Sequence, residues 1–247
     1  MAAIISIYSG YVALSFLPPF IWLLFYLHED RHPEPKRLLV LTFVAGVVAA
    51  FAAVALELGL FGTPPVFSGL LHRLFPGILA VPLVIFSGVS LIEEYFKYAA
   101  VKVVVFRRPE FDEPIDAMIY MVTAALGFAA IENVLFLLPA FEGSLLGGFE
   151  LTANRFLGAN LLHALSSGIV GYALARHMFS PWKKHAVAAG ILAASVLHTL
   201  FNYLILRKDA VPESMVLLIL LLILMAVVVL VDFERLKRSA RKPEPMV

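Results

Sequence analysis

Five side chains combine acid–base or metal-ligating chemistry with an apolar setting: Glu93, Glu94, Glu132, His163 and His198. Each lies inside a long hydrophobic run. A charge there costs about 2.5–3.5 kcal/mol on insertion scales, so it marks a functional site by default. Glu132, His163 and His198 come from three separate runs. One carboxylate and two imidazoles make a three-ligand set for a catalytic zinc ion, Zn2+, with water in the fourth position. Glu93 is the candidate general base, and Glu94 a second base or a fourth ligand. Lys97 follows Glu93 at i+4, so the two share a helix face and can pair, which tunes the carboxylate. Asn202 follows His198 at the same spacing, and the pair can donate hydrogen bonds to an oxyanion. The chain has no cysteine. Disulfides, thiolate metal sites and thiol nucleophiles are therefore excluded.

The elements that must position these residues follow from composition. Of 247 residues, 61% are hydrophobic and 15% charged, and the mean hydropathy is +0.91. Soluble domains are about 45–50% apolar and about 25% charged. The formal charge of +1 argues against a nucleic-acid partner. The expected fold is all-α: a polytopic transmembrane helical bundle of about seven spans, each crossing needing about 20 residues. The spans are read at roughly 5–27, 38–61, 77–106, 116–140, 154–178, 186–206 and 214–232. Repeated long apolar runs favour helices over a membrane barrel, whose strands would be short and alternating. Pro18 and Pro19 should kink the first span. Pro82 marks where the regular helix of the third begins. The whole chain, 1–247, reads as one transmembrane domain, with 235–247 a basic cytoplasmic tail.

Basic residues set the expected orientation. One side carries Arg31, Lys36, Arg37, Arg107, Arg108, Arg176, Lys183, Lys184, Arg235, Lys237, Arg238, Arg241 and Lys242. The other carries Arg73, Arg155, Arg207 and Lys208. This places the N-terminus outside and the C-terminus in the cytoplasm. At 1.5 Å per residue, Glu132, His163 and His198 then lie roughly 12–13 Å below the outer surface, with Glu93 at about 15–17 Å. Four functional side chains from four spans thus share one layer in the outer half of the bilayer.

Other polar residues have plainer readings. Glu57 near an outer span end is read as an interface residue, Lys102 as a snorkelling lysine and Asp116 as a helix cap. Gly168 and Gly171 are read as close-packing positions. A proton or ion-coupled transporter is the competing functional class, because intramembrane Glu and His chains also serve ion pathways. The apolar residues below the layer count against it. A scaffold is a third class. A retinal protein is excluded by the lack of a lysine in the last span.

The motifs carry a resemblance. Glu93-Glu94-Tyr95-Phe96-Lys97 fits EExxK, and Gly127-Phe128-Ala129-Ala130-Ile131-Glu132-Asn133 fits GFxxxEN. His163-Ala164-Leu165 with Gly168 and Gly171-Tyr172 resembles the next block, and His198-Thr199-Leu200-Phe201-Asn202 fits HxxxN. Arg31-His32-Pro33-Glu34-Pro35 resembles the R-x-x-E-P of a first cytoplasmic loop. Together, over about residues 28–206, these resemble the PrsW family of bacterial intramembrane proteases. That family is grouped with the CAAX prenyl endopeptidases and bacteriocin-processing enzymes.

The resemblance implies a multi-pass protein of the bacterial inner membrane whose substrate is a single-span membrane protein, an anti-sigma factor. It implies a first cut on the extracytoplasmic side. By analogy with the prenyl-endopeptidase branch it implies Glu93 as the base, with His198 and Asn202 as oxyanion donors or ligands. This chain departs from that branch at Phe128-x-x-x-Glu132, where Glu replaces His and His163 becomes an additional histidine. A Glu-His-His set suits zinc better than a purely glutamic, metal-free mechanism, which is the alternative.

Overall fold

The computed structural model describes residues 2–30, 32–62, 69–74 and 82–239. Within them the chain is helical throughout: α1 (Ala2–Leu27), α2 (Lys36–Phe61), α3 (Leu70–Leu74), α4 (Pro82–Val105), α5 (Pro114–Gly143), α6 (Leu145–Leu157), α7 (Ala159–Arg176), α8 (Lys183–Arg207) and α9 (Glu213–Ser239). Six segments are long and apolar enough to cross a membrane, with α6 and α7 counted together as Leu145–Arg176. α4 is a seventh long helix, but Glu93, Glu94, Lys97 and Lys102 make it too charged to be recognised as a span by composition. The helix that composition reads least clearly is thus the one that carries the candidate residues Glu93, Glu94 and Lys97. Arg31, positions 77–81 of the expected third span and residues 240–247 of the basic tail lie outside the described residues.

The bundle is organised around α5. Its first turn begins with Pro114, whose missing N–H would have had no helical partner there. Asp116 Oδ2 accepts the backbone N–H groups of Asp112 and Glu113 at 3.1 and 2.7 Å, as expected for a cap. Every residue from 115 to 131 is buried. A helix that is apolar all round belongs at a centre, and α1, α2, α4 and α7 pack about it. The outer helices keep a lipid-facing side; on α9 it includes Val216, Leu217, Leu220 and Leu224, all exposed.

Small residues let backbones approach where no aqueous hydrophobic effect drives association. A Cβ at Gly127 would lie 2.1 Å from the Phe43 carbonyl oxygen, and one at Gly46 would lie 2.0 Å from that of Ala124. The two contacts are reciprocal, so α2 and α5 touch backbone to backbone one turn below Glu132. Gly171 does the same for α7, where a Cβ would meet Met118 Cα at 2.7 Å.

α1 runs unbroken through Pro18 and Pro19. Pro19 has no N–H to offer the Ser15 carbonyl four residues back. That carbonyl instead accepts the side-chain amide of Asn133 at 2.9 Å. A proline in one helix thus leaves free the acceptor that holds Asn133, the neighbour of Glu132, on another.

The fifth expected span is two helices. α6 starts at Ser144, whose Oγ caps Gly147 N, and ends at Gly158, where φ −103° and ψ −89° break the helix. α7 restarts at once and delivers His163 one turn later.

Candidate active site

Glu93, Glu94 and Lys97 project from α4, Glu132 from α5, His163 from α7 and His198 from α8. All six meet in one network. Glu93, Glu94, Lys97, His163 and His198 are each no more than 4% exposed, and Glu132 is half-buried. Charges so placed persist only when paired and hydrogen-bonded.

Lys97 supplies much of that pairing. Its Nζ donates to Glu94 Oε1 at 2.8 Å and to His163 Nδ1 at 2.7 Å, and reaches Glu93 Oε2 at 3.5 Å. The ammonium also lies 4.8 Å from the centre of the Phe128 ring, a cation–π contact. The i+4 spacing paired Lys97 with Glu93. The i+3 partner, Glu94, is the closer one, because both side chains turn inward between α7 and α8.

Glu94 is the hub on the other side. It also accepts from Ser166 Oγ at 2.9 Å and Ser167 Oγ at 3.3 Å on α7, and from His198 Nδ1 at 3.0 Å on α8. With its oxygens so occupied, Glu94 orients its neighbours. Its Oε1 fixes Nδ1 of His198 as the protonated nitrogen and leaves Nε2 bare, 3.7 Å from Glu93 Oε2.

His163 is held in mirror fashion. Its Nε2 meets Glu132 Oε2 at 2.7 Å, so Nδ1 faces inward, 3.9 Å from Glu93 Oε2. The two imidazoles stand edge to face, with centroids 5.1 Å apart. A carboxylate behind each imidazole is the arrangement that sets tautomer and basicity in histidine metal sites.

Glu93, His163 and His198 each offer one ligand atom within 4.8 Å of the others, and among the described residues they are the group suited to a metal ion. Sequence reasoning assigned the carboxylate of this set to Glu132. The structure puts Glu93 there and sets Glu132 behind His163, where Arg155 Nη2 also binds it at 3.1 Å. Asn202 is half-buried, and among the described residues its side chain has no hydrogen-bond partner, so its amide is free to donate.

The donor set fits a divalent cation on chemistry as well as spacing. Glu57, Glu93, Glu94 and Glu132 lie about Lys97, and Arg155 pairs with Glu132. One carboxylate oxygen and two imidazole nitrogens are ligand types that zinc accepts. Lys97 competes for one lone pair, that of His163 Nδ1.

Four contributors escaped sequence reasoning. Ser166 and Ser167 follow His163 at i+3 and i+4, a helical spacing that could have revealed them. Glu57 on α2 interacts electrostatically with Glu93, Glu132 and Lys97, and its buried Oε1 has no partner among the described residues. Arg155 was counted as an outer-surface charge, and no local pattern distinguishes it.

Comparisons with known proteins bear on this geometry. Residues 34–231 match the family model described as "PrsW family intramembrane metalloprotease". The chain is 30% identical over 187 residues to "Protease PrsW" of Geobacillus kaustophilus, covering 75% of this chain and 74% of that one. It is 25% identical over 194 residues to "Protease PrsW" of Oceanobacillus iheyensis, covering 76% and 80%. It is 27% identical over 183 residues to "Protease PrsW" of Bacillus subtilis, covering 73% and 75%. No solved structure matches the chain significantly.

Proposed function

Because the chain belongs to the PrsW family of intramembrane proteases and is a multi-pass protein of the bacterial plasma membrane, we propose that it hydrolyses a peptide bond of a single-span membrane protein at the Glu93/His163/His198 centre. The proposed substrate class is an anti-sigma factor, cut first on the extracytoplasmic side. The N-terminus lies outside and the C-terminus in the cytoplasm, which sets the centre in the outer half of the bilayer.

The observation that carries the reading is the pairing of each imidazole with a carboxylate behind it, Glu132 for His163 and Glu94 for His198. This leaves the unprotonated His163 Nδ1 and His198 Nε2 on the side of Glu93 Oε2, with Lys97 Nζ also on Nδ1. These three atoms would hold Zn2+. Zinc held there would supply a Lewis acid for the attacking water and the scissile carbonyl. The chain's own residues do the rest. Glu94 and Glu132 keep the imidazole tautomers, Lys97 holds the carboxylates of α4 in place, and Asn202 donates to the developing oxyanion. The surrounding apolar helices keep bulk water from the centre, which strengthens each of these interactions.

One observation favours a second reading. An ammonium, Lys97 Nζ, already meets Nδ1 of His163 at 2.7 Å. In the metal-free version Glu93 removes the proton from water directly, and His198 with Asn202 stabilises the oxyanion.

The test is cleavage of an epitope-tagged single-span anti-sigma factor by the purified chain in liposomes, with metal content measured on the same preparation. The proposal expects a cut on the extracytoplasmic side, stoichiometric metal and inhibition by chelators. It also expects loss of metal in His163→Ala and His198→Ala. Cleavage untouched by chelators, in a metal-free preparation, selects the glutamic version. Proton flux through liposomes without cleavage would replace both with the transporter.

A further inference from the structure

Arg155 lies near the C-terminal end of α6, three residues before the break at Gly158, and its side chain is 11% exposed. Two other helices grip it. Nη2 lies 3.1 Å from Glu132 Oε2, and Nε donates to Asn133 Oδ1 at 2.6 Å, both on α5. Its backbone carbonyl accepts Asn160 Nδ2 of α7 at 2.7 Å. Asn160 Oδ1 in turn accepts Asn133 Nδ2 at 3.0 Å, which closes the ring. The guanidinium carbon stands 4.6 Å from the centre of the Phe136 ring. A solvated surface arginine has no need of so many fixed partners, and a planar guanidinium suits them better than an ammonium.

The consequence falls on His163. The same oxygen, Glu132 Oε2, receives both Arg155 Nη2 and His163 Nε2. A carboxylate held by a guanidinium is an acceptor only. The imidazole must therefore carry its proton on Nε2, and Nδ1 presents a lone pair. That lone pair faces Lys97 Nζ at 2.7 Å and Glu93 Oε2 at 3.9 Å. The opposite tautomer would set an N–H against the ammonium.

We propose that Arg155 is a positioning residue of the centre: it holds the Glu132 carboxylate against His163 Nε2 and so keeps the imidazole turned with Nδ1 toward Lys97 and Glu93. The proposal deepens the peptidase reading and rests on it for the kinetic measurement alone. It also explains why the fifth span is broken. Only a separate α6, turned at Gly158, brings Arg155 back beside Glu132 while α7 carries His163 to its other side.

The experiment uses the full chain in detergent with 15N-labelled histidine, the His163 signals being assigned by their loss in His163→Ala. Cleavage is followed on a single-span reporter, an alanine–leucine span with fluorophore and quencher flanking its outer end. Wild type is expected to show a protonated Nε2 and a bare Nδ1 at His163. Arg155→Ala is expected to keep this tautomer, which the Lys97 ammonium also requires, but to shift and broaden the His163 signals as Glu132 loosens, and to lower kcat by about 10- to 100-fold, with KM changed by less than about twofold. Arg155→Lys should recover part of both. An unchanged His163 spectrum and kcat in Arg155→Ala overturn the proposal, as does a loss that appears only in KM. If Arg155→Ala does not fold, Arg155→Gln carries the same measurements with the same meanings. If wild type cleaves no reporter, the peptidase reading fails, and the His163 spectrum still decides the role of Arg155.

Discussion

Lys97 donates a 2.7 Å hydrogen bond from its ammonium to Nδ1 of His163, deep in the bundle and with no exposure of the lysine. The same ammonium neutralises Glu94 at 2.8 Å. Removing one partner of a buried ion pair leaves the other uncompensated, at a cost of about 3–5 kcal/mol. Lys97→Met is therefore expected to destabilise the protein by that order, read as lowered thermal stability in detergent. Wild-type stability in Lys97→Met would show that Glu94 has no need of the ammonium.

The two adjacent glutamates should separate experimentally. Glu93 has only loose contacts, 3.5 Å to Lys97 and 3.7 Å to His198, and faces the proposed chemistry. Glu93→Gln is expected to lower kcat by about 10²–10⁴-fold with little change in stability. Glu94 holds Lys97, Ser166, Ser167 and His198 together. Glu94→Gln puts an amide where four donors converge and should cost stability too, by about 1–3 kcal/mol. Paired melting curves and cleavage rates read both. Equal stability loss in the two variants would contradict the division of roles.

Gly127 tests the scaffold separately from the chemistry. A methyl group there would sit 2.1 Å from a backbone oxygen of α2, which cannot rotate away. Gly127→Ala should force α2 and α5 apart and destabilise by about 1–3 kcal/mol, the usual scale of overpacking. Because Glu132 lies little more than a turn further along α5, activity should fall with it. A melting temperature equal to wild type would mean that the two helices separate without penalty.

On the loop before α2, burial pushes the Glu34 carboxyl above its ordinary range, and nearby Asp30 adds to the rise. Hydrogen bonds from the Asp116 carboxyl and the Tyr120 phenol oppose the rise without cancelling it. A raised value means that the folded state prefers the neutral carboxyl. Its contribution to stability is complete below the ordinary carboxylate range, about pH 4, and is lost as pH rises through the raised value. Glu34→Gln keeps a neutral acceptor for Tyr120 at every pH. Wild type and variant should therefore match near about pH 4, and the variant should be the more stable near about pH 8. A constant difference between the two melting curves across that range would contradict the assignment.

The sequence alone determined the broad outline. Long apolar runs demand helices in a membrane because backbone polar groups must pair internally there. The cost of charge in lipid singled out Glu93, Glu94, Glu132, His163 and His198 without any coordinates. Helical spacing grouped Lys97 with the glutamates and Asn202 with His198. What spacing could not supply was the partner across helices. It paired Lys97 with Glu93 by i+4, whereas the direction in which α4 faces α7 and α8 makes Glu94 the nearer partner. It also made Glu132 a ligand, because depth along a helix says nothing about rotation around it.

Only the tertiary structure set Glu132 behind His163 and drew Glu93 in beside the two imidazoles. It also turned Arg155 from an outer-surface charge into a buried partner, through a helix break at Gly158 that hydropathy does not register. The physical reason is that burial cost is a property of each residue and its depth, and can be read along the chain. Which oxygen meets which nitrogen depends on how several helices pack, and that is decided by glycine contacts and freed carbonyls far apart in sequence.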